Sequence, residues 1–185
     1  MTIIYCNWQD PDSIPLRSVF NNLNAKVIEL TKDSTNWEDM VDNAISTEED
    51  TLVFLGHGSP YGLYFPKDDY STYVLHENNA NLIHAKRVVY IWCYASDFIR
   101  NNNLHGFATS MFISNEKEAY NEFIYGYNQH FIDLVGKYFF EEVHDLLKNN
   151  VPLEDWVMIL GAHMDIENDI DVFNRQGLYY QKKLI

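Results

Sequence analysis

The chain has 185 residues, which fits one domain and leaves little room for a second. Hydrophobic residues make up 46% and aromatic residues 15%, enough for a substantial core, and a charged share of 22% excludes a disordered chain. The net charge of −14 argues against nucleic acid as a partner, because a phosphate backbone requires clustered Lys and Arg. It is compatible with basic substrates, although most acidic surfaces serve only solubility.

The two cysteines, Cys6 and Cys93, suggest neither a disulfide framework nor a structural zinc site. The first residues lack the basic stretch, apolar run and cleavage site of a signal peptide, and no apolar run is long enough to cross a bilayer. No histidine pair has the H-x-x-x-H spacing of a metal site. We therefore expect a cytoplasmic protein with free thiols and with no metal, cofactor or membrane partner.

Short apolar runs alternate with helical patterns along the chain. Strands are predicted at 3–6, 26–30, 51–55, 87–92, 108–114 and 177–180. Helices are predicted at 16–23 after a loop at 10–15, after an N-cap at Asn36, and along the apolar stripes at 131–147 and 156–164. The pattern predicts a single α/β domain over residues 1–185, with about six mostly parallel strands and helices on both faces.

Residues 61–85 are predicted to be irregular, with one short helix near 79–84. The aromatic residues between Tyr61 and Tyr73 either line a groove or cover a sheet edge. The acidic run at 165–171 is interpreted as a solvated loop, because it lacks the turn glycine and the final Glu of a calcium loop.

Two reactive side chains directly follow buried strands: His57 after the strand at 51–55, and Cys93 after the strand at 87–92. Ligands bind beyond the carboxyl ends of parallel strands, so these positions are candidate site residues. A cysteine nucleophile needs a base, which a histidine supplies, and donors for an oxyanion, which the N–H groups of a glycine turn supply. Cys6 lies within a strand pattern and is interpreted as a core residue.

The segments Leu-Val-Phe-Leu-Gly-His-Gly, ending at Gly58, and Val-Val-Tyr-Ile-Trp-Cys, ending at Cys93, resemble the two signature blocks of the caspase-like (clan CD) cysteine peptidases. The strand after the nucleophile and the segment at 171–180 resemble those of the CHAT-type bacterial members. The resemblance implies a caspase-like three-layer sandwich and a cysteine endopeptidase acting on a peptide or protein substrate. Control would then come from an activating partner, from loop ordering or from the substrate.

The resemblance also implies residue roles: Cys93 as nucleophile, His57 as general base and acid, and the N–H groups of Gly58 and Cys93 as the oxyanion hole. This chain departs from the pattern at Ile91 and Trp92, where relatives carry a residue that shapes the specificity pocket. Trp92 is therefore a candidate substrate-binding residue. An acidic base for that pocket would have to come from Asp97, or from Asp10 or Asp12; for a basic pocket, Arg17 and Arg100 are the candidates.

Three rival interpretations remain. The Gly-His-Gly-Ser sequence also occurs where a histidine binds metal in sirohydrochlorin-type chelatases, but there it follows the first strand. An α/β-hydrolase would require a G-x-S-x-G elbow, which this chain lacks. The third alternative is a caspase-like fold used as a non-catalytic interaction or regulatory module, and the sequence does not exclude it.

Overall fold

The structure is a computed structural model that describes residues 1–67 and 69–183. Residues 68, 184 and 185 of the predicted domain lie outside the described part. Its central sheet has the strand order β2-β1-β3-β7-β8-β9. The strands are β1 (Thr2–Cys6), β2 (Lys26–Leu30), β3 (Thr51–Leu55), β7 (Arg87–Ile91), β8 (Gly106–Thr109) and β9 (Leu178–Gln181). All neighbours pair in parallel except β8 and β9. The predicted α/β fold with about six mostly parallel strands is thus confirmed.

The strands are apolar on both faces because both faces of the sheet are covered. The consecutive residues Ile3 and Ile4 of β1 belong to separate buried clusters on opposite sides of the sheet. The first cluster contains Val41 and Phe98, from helices α1 (Trp37–Thr47) and α3 (Ala95–Asn101). The second cluster contains residues of α5 (Gln129–Lys148) and α6 (Leu153–His163). The expectation of helices on both faces is confirmed.

Residues 61–85 are more regular than predicted. A second, antiparallel sheet contains β4 (Gly58–Ser59), β5 (Gly62–Tyr64) and β6 (Tyr73–His76), followed by helix α2 (Glu77–Ala80). The prediction was wrong because these strands are very short, so no alternation of apolar and polar residues builds up. The short helix also begins earlier than expected, where the His76 side chain accepts a bond from the Asn78 N–H.

Several other boundaries differ from the predictions. Residues 14–19 form a 3-10 helix in place of the predicted helix at 16–23, and β8 ends at Thr109 rather than continuing to 114. Asn36 precedes α1 but makes no side-chain capping bond. Three helices were not predicted, α3, α4 (Glu116–Asn121) and α7 (Asp169–Gln176), of which α7 begins inside the acidic run interpreted as a loop.

The order in which the strands are added reverses between β1 and β3. From β1 the chain moves to β2 on one side, and through α1 it returns to β3 on the other side. The gap between the carboxyl ends of β1 and β3 is therefore a topological switch point, where open α/β sheets characteristically bind ligands. Across the described residues, no helix combines the length and apolar character needed to cross a lipid bilayer.

Candidate active site

His57 and Cys93 occupy matching positions at the ends of neighbouring strands. Leu55 of β3 pairs in parallel with Ile91 of β7, and each lies two residues before one member of the predicted dyad. The Gly56 N–H donates to the Ile91 carbonyl at 3.2 Å, which extends the pairing to the end of both strands. Adjacent strands lie about 5 Å apart, so this register brings the two side chains to the same edge of the sheet.

The two glycines beside His57 are required by close packing. Gly56 has a φ of 153°, and a Cβ there would lie 2.7 Å from the Cys6 Cβ. A Cβ on Gly58 would lie 2.2 Å from Cδ1 of Trp92. The Gly-His-Gly sequence is therefore explained by the need to pass the chain between Cys6 and Trp92.

A small cavity of about 40 Å³ joins the predicted residues. Both His57 and Cys93 line it, together with Ile91, Trp92 and residues from three other segments: Asp12, Leu16, Gly56, Thr109, Phe112, Ser114, Glu118 and Phe140. The volume is enough for a few water molecules but not for a large side chain. No hydrogen bond joins the Cys93 thiol to the His57 ring, although both residues belong to the described part of the chain.

The ring of His57 is held by a carboxylate from the next strand along the sheet. Its Nε2 lies 2.8 Å from Oδ2 of Asp10, in the loop after β1. Burial alone would raise the pKa of the Asp10 carboxyl, but hydrogen bonds from Ser13 and the charge and hydrogen bond of His57 lower it below its ordinary value. An ionised carboxylate only accepts, so Nε2 carries the hydrogen and Nδ1 is the nitrogen left to take a proton.

The pKa of the Cys93 thiol is shifted in the opposite direction from that of Asp10: it is raised, which favours the neutral form. Burial raises its pKa to about 12; the backbone N–H of Phe112 opposes the increase, and the carboxylates of Glu118 and Asp12 add to it. Glu118 accepts hydrogen bonds from the N–H and hydroxyl of Ser114, at 2.8 and 2.9 Å. The resting thiol is therefore neutral near pH 7, and a base must remove its proton during attack.

The backbone around Cys93 is fixed by its neighbours. Thr109 donates from Oγ1 to the Trp92 carbonyl at 2.9 Å, and Nε1 of Trp92 donates to the Ser59 carbonyl at 3.2 Å. Tyr94, the residue after Cys93, has a φ of 67°, a left-handed conformation that is unusual for a side chain of this size. This sharp reversal ends the strand path and starts α3 at Ala95.

The backbone N–H of Gly58, predicted as an oxyanion donor, is not used in pairing with β5, but Gly58 does not line the cavity. Tyr64 donates its N–H to the His57 carbonyl at 2.9 Å, so Gly58, opposite Leu63, takes the non-hydrogen-bonded position, with its N–H directed away from β5. Among the described residues that line the cavity, Gly58 is not included. Its role in an oxyanion hole stays a prediction.

The candidate substrate-binding residues are distributed unequally. Trp92 and Asp12 line the cavity. Asp97 does not line it and pairs with Arg100 at 2.9 Å on the surface of α3. The two arginines considered for a basic pocket are also engaged elsewhere, since Arg17 pairs with Glu29 and Arg100 lies over the Tyr179 ring.

Sequence reasoning missed the contributions of Asp10 and Glu118 to the dyad. Asp10 was considered only as an acidic pocket residue, and no orienting acid for His57 was identified. Its position after β1 was an available signal, because strand ends of one sheet converge on one edge. Glu118 belongs to α4, which was not predicted, and no local pattern connects it to Cys93.

The aromatic residues form a continuous stack that ends on His57. Trp8 meets the His57 ring edge-on, with centroids 5.4 Å apart, and stacks on Tyr70 at 4.8 Å. Tyr64 contacts Tyr70 at 5.4 Å and Tyr73 at 4.9 Å. The stack packs against one edge of the His57 ring. Tyr61 and Tyr73 also line a groove of about 1090 Å³ beside Trp37, so these two residues meet the groove alternative.

No set of three or more His, Cys, Asp or Glu side chains within residues 1–67 and 69–183 is arranged to hold a metal ion. Cys6 is fully buried, as predicted for a core residue, and both cysteines are free thiols.

Compared with models of known protein families and with curated proteins, the sequence has no match.

Proposed function

We propose that this protein is a cysteine endopeptidase of the caspase-like superfamily, with Cys93 as nucleophile and His57 as general base and acid. One observation carries the proposal: the two residues line one cavity at paired strand ends, with His57 held by Asp10 at 2.8 Å. A nucleophile and a base are parts that acyl transfer requires, and the carboxylate of Asp10 orients the base.

In the proposed reaction, Sγ of Cys93 attacks the substrate carbonyl carbon while its proton moves to Nδ1 of His57. The N–H groups of Gly58 and Cys93 stabilise the oxyanion of the tetrahedral intermediate. Collapse of the intermediate breaks the C–N bond, and His57 returns the proton to the leaving amine. Water, deprotonated by His57, then hydrolyses the thioester and releases the carboxylic acid and the free thiol.

Two further aspects belong to the proposal. The substrate is a peptide or protein rather than nucleic acid, because the chain carries a charge of −14. The location is a reducing cytoplasm, where two free thiols persist. The cavity of about 40 Å³ must widen to admit a substrate, which fits a requirement for an activating partner.

The raised pKa of Cys93 and the small size of its cavity also fit a second candidate, a non-catalytic interaction or regulatory module. A thiol with a pKa of about 12 and a cavity too small for a large side chain are also expected of residues that only pack. The two candidates differ in whether His57 changes the reactivity of Cys93.

Iodoacetamide labelling near neutral pH, quantified by mass spectrometry at each cysteine, separates them. Cys6 is an internal control because it is fully buried. The peptidase proposal expects Cys93 to react faster than Cys6 and to slow in His57→Ala. It also expects a positional-scanning peptide library to be cleaved by the wild type and not by Cys93→Ala. Equal labelling of both cysteines, unaffected by His57→Ala, would favour the non-catalytic module.

A further inference from the structure

A second cavity, of about 550 Å³, lies between α5, α6 and the segment leading into α7. Its floor is apolar and comes from two helices, with Leu134, Val135 and Phe139 on α5 and Leu160 on α6. The volume is more than ten times that of the Cys93 cavity, which it does not join. It is large enough to accept several side chains from a partner.

The rim of this groove is strongly acidic. Five carboxylates line it: Glu141, Glu142, Asp145, Asp165 and Asp171. His163 pairs with Glu142 at 3.1 Å, and no Lys or Arg is found among the described residues that line the groove. Lys137, outside the lining, is 3.8 Å from Glu141, so most of this negative charge is not neutralised locally.

Some apolar groups of the groove remain in contact with solvent. Leu134 is half-buried, and the Tyr138 side chain at the edge of the groove is 66% exposed. Val135, Phe139 and Leu160 are already buried, so the apolar surface that a partner can cover comes from Phe131, Leu134 and Tyr138. Covering it gains about 25 cal/mol for each Å² removed from water. The acidic rim requires that partner to carry positive charge beside its apolar face.

We propose that the groove between α5 and α6 is a docking site for a basic amphipathic helix of a partner protein. The apolar face of the helix lies on Phe131, Leu134 and Tyr138, and its Lys or Arg side chains reach the carboxylates of the rim. A second copy of this chain does not fit the charge pattern, because each copy carries a charge of −14. An anionic membrane surface is repelled by the same five carboxylates.

The test uses the full chain and a fluorescent synthetic peptide of about 18 residues. In this peptide Leu recurs at positions i, i+3, i+4 and i+7, and Lys fills the remaining positions, so that one helical face is apolar and the other basic. A peptide of identical composition in scrambled order serves as the probe control. We expect the amphipathic peptide to bind the wild type about tenfold more tightly than the scrambled peptide, by fluorescence anisotropy. Amide chemical-shift changes should be concentrated on α5 and α6.

Two charge-reversed double variants separate the groove from general attraction. Glu141→Lys with Asp145→Lys changes the rim, and we expect affinity to fall by about tenfold or more. Glu38→Lys with Asp39→Lys makes the same change of charge on α1, on the opposite face of the sheet, and should change affinity by less than about twofold. Leu134→Ala, which keeps all charges, should weaken binding by about three- to tenfold.

Thermal melting and circular dichroism establish that each variant is folded, and Leu134→Ala provides a result if the charge variants unfold. Any of three outcomes would overturn the proposal: no binding to the wild type, equal binding of the scrambled peptide, or equal losses in the two double variants. Amide chemical-shift changes confined to another surface, such as the separate groove that Trp37 and Tyr73 line, would also overturn the proposal.

Discussion

Asp10 Oδ2 lies 2.8 Å from Nε2 of His57, across the switch point between β1 and β3. The carboxylate comes from a loop and the histidine from a strand end, and the two are far apart in the sequence. Because the ionised carboxylate accepts a hydrogen from Nε2, Nδ1 is the ring nitrogen left to take a proton.

Asp10→Asn tests whether the carboxylate orients the base. An amide at this position can donate to Nε2 and so stabilise the wrong tautomer, leaving Nδ1 protonated. We expect the rate of peptide cleavage, and of Cys93 alkylation, to fall by about 10²- to 10⁴-fold with little change in fold. The exposed variant Asp33→Asn is the matched control, and should keep the wild-type rate. An unchanged pH–rate profile in Asp10→Asn would contradict a positioning role.

The same pair predicts a pH dependence of stability. The pKa of Asp10 is lower in the folded protein than in the unfolded chain, so its contribution is complete above its ordinary pKa and is lost as the pH falls through the folded value. The wild type should therefore have a higher melting temperature than Asp10→Asn at pH 5. The difference should narrow below about pH 4. A difference that widens in acid would contradict the predicted sign.

Glu118→Gln removes a charge that adds to the effect of burial in raising the pKa of the Cys93 thiol. Gln keeps an acceptor for the Ser114 bonds, so the local packing should persist. The pKa of Cys93 should fall, and its alkylation rate at pH 8 should rise by about 2- to 10-fold. Glu116→Gln, at an exposed position of α4, is the control for a general charge effect. Equal acceleration in both variants, or none in Glu118→Gln, would count against a direct effect on the thiol.

Gly58→Ala tests the packing that forms the turn after His57. The new Cβ would lie 2.2 Å from Trp92 Cδ1 and 2.6 Å from the Gly62 carbonyl oxygen, so one of them must shift. We expect a loss of about 1–3 kcal/mol in the free energy of unfolding, measured with denaturant. Gly136→Ala is the matched control, because its Cβ meets nothing closer than 3.7 Å inside α5. That change should be neutral or stabilise by up to about 1 kcal/mol.

The sequence determined the strands of the central sheet and the ends of β3 and β7, whereas β8 ends at Thr109 rather than at 114. The runs at 51–55 and 87–92 are apolar without interruption because both faces of their strands are buried, and that property is visible locally. The same apolar runs placed His57 and Cys93 at strand ends, and the glycines on either side of His57 indicated close packing of the backbone there. The same local reasoning identified the α5 and α6 helices through their apolar stripes.

Only the tertiary structure decided what surrounds those two residues. The strand order places β1 beside β3, and so brings Asp10 to His57, but no local pattern encodes which strand neighbours which. Glu118 reaches the Cys93 cavity through the long connection between β8 and β9, and the strands β4 to β6 are too short to show a period. Local sequence indicates burial and turns, whereas the environment of a titrating group depends on contacts between distant segments, and those contacts raise the pKa of the Cys93 thiol.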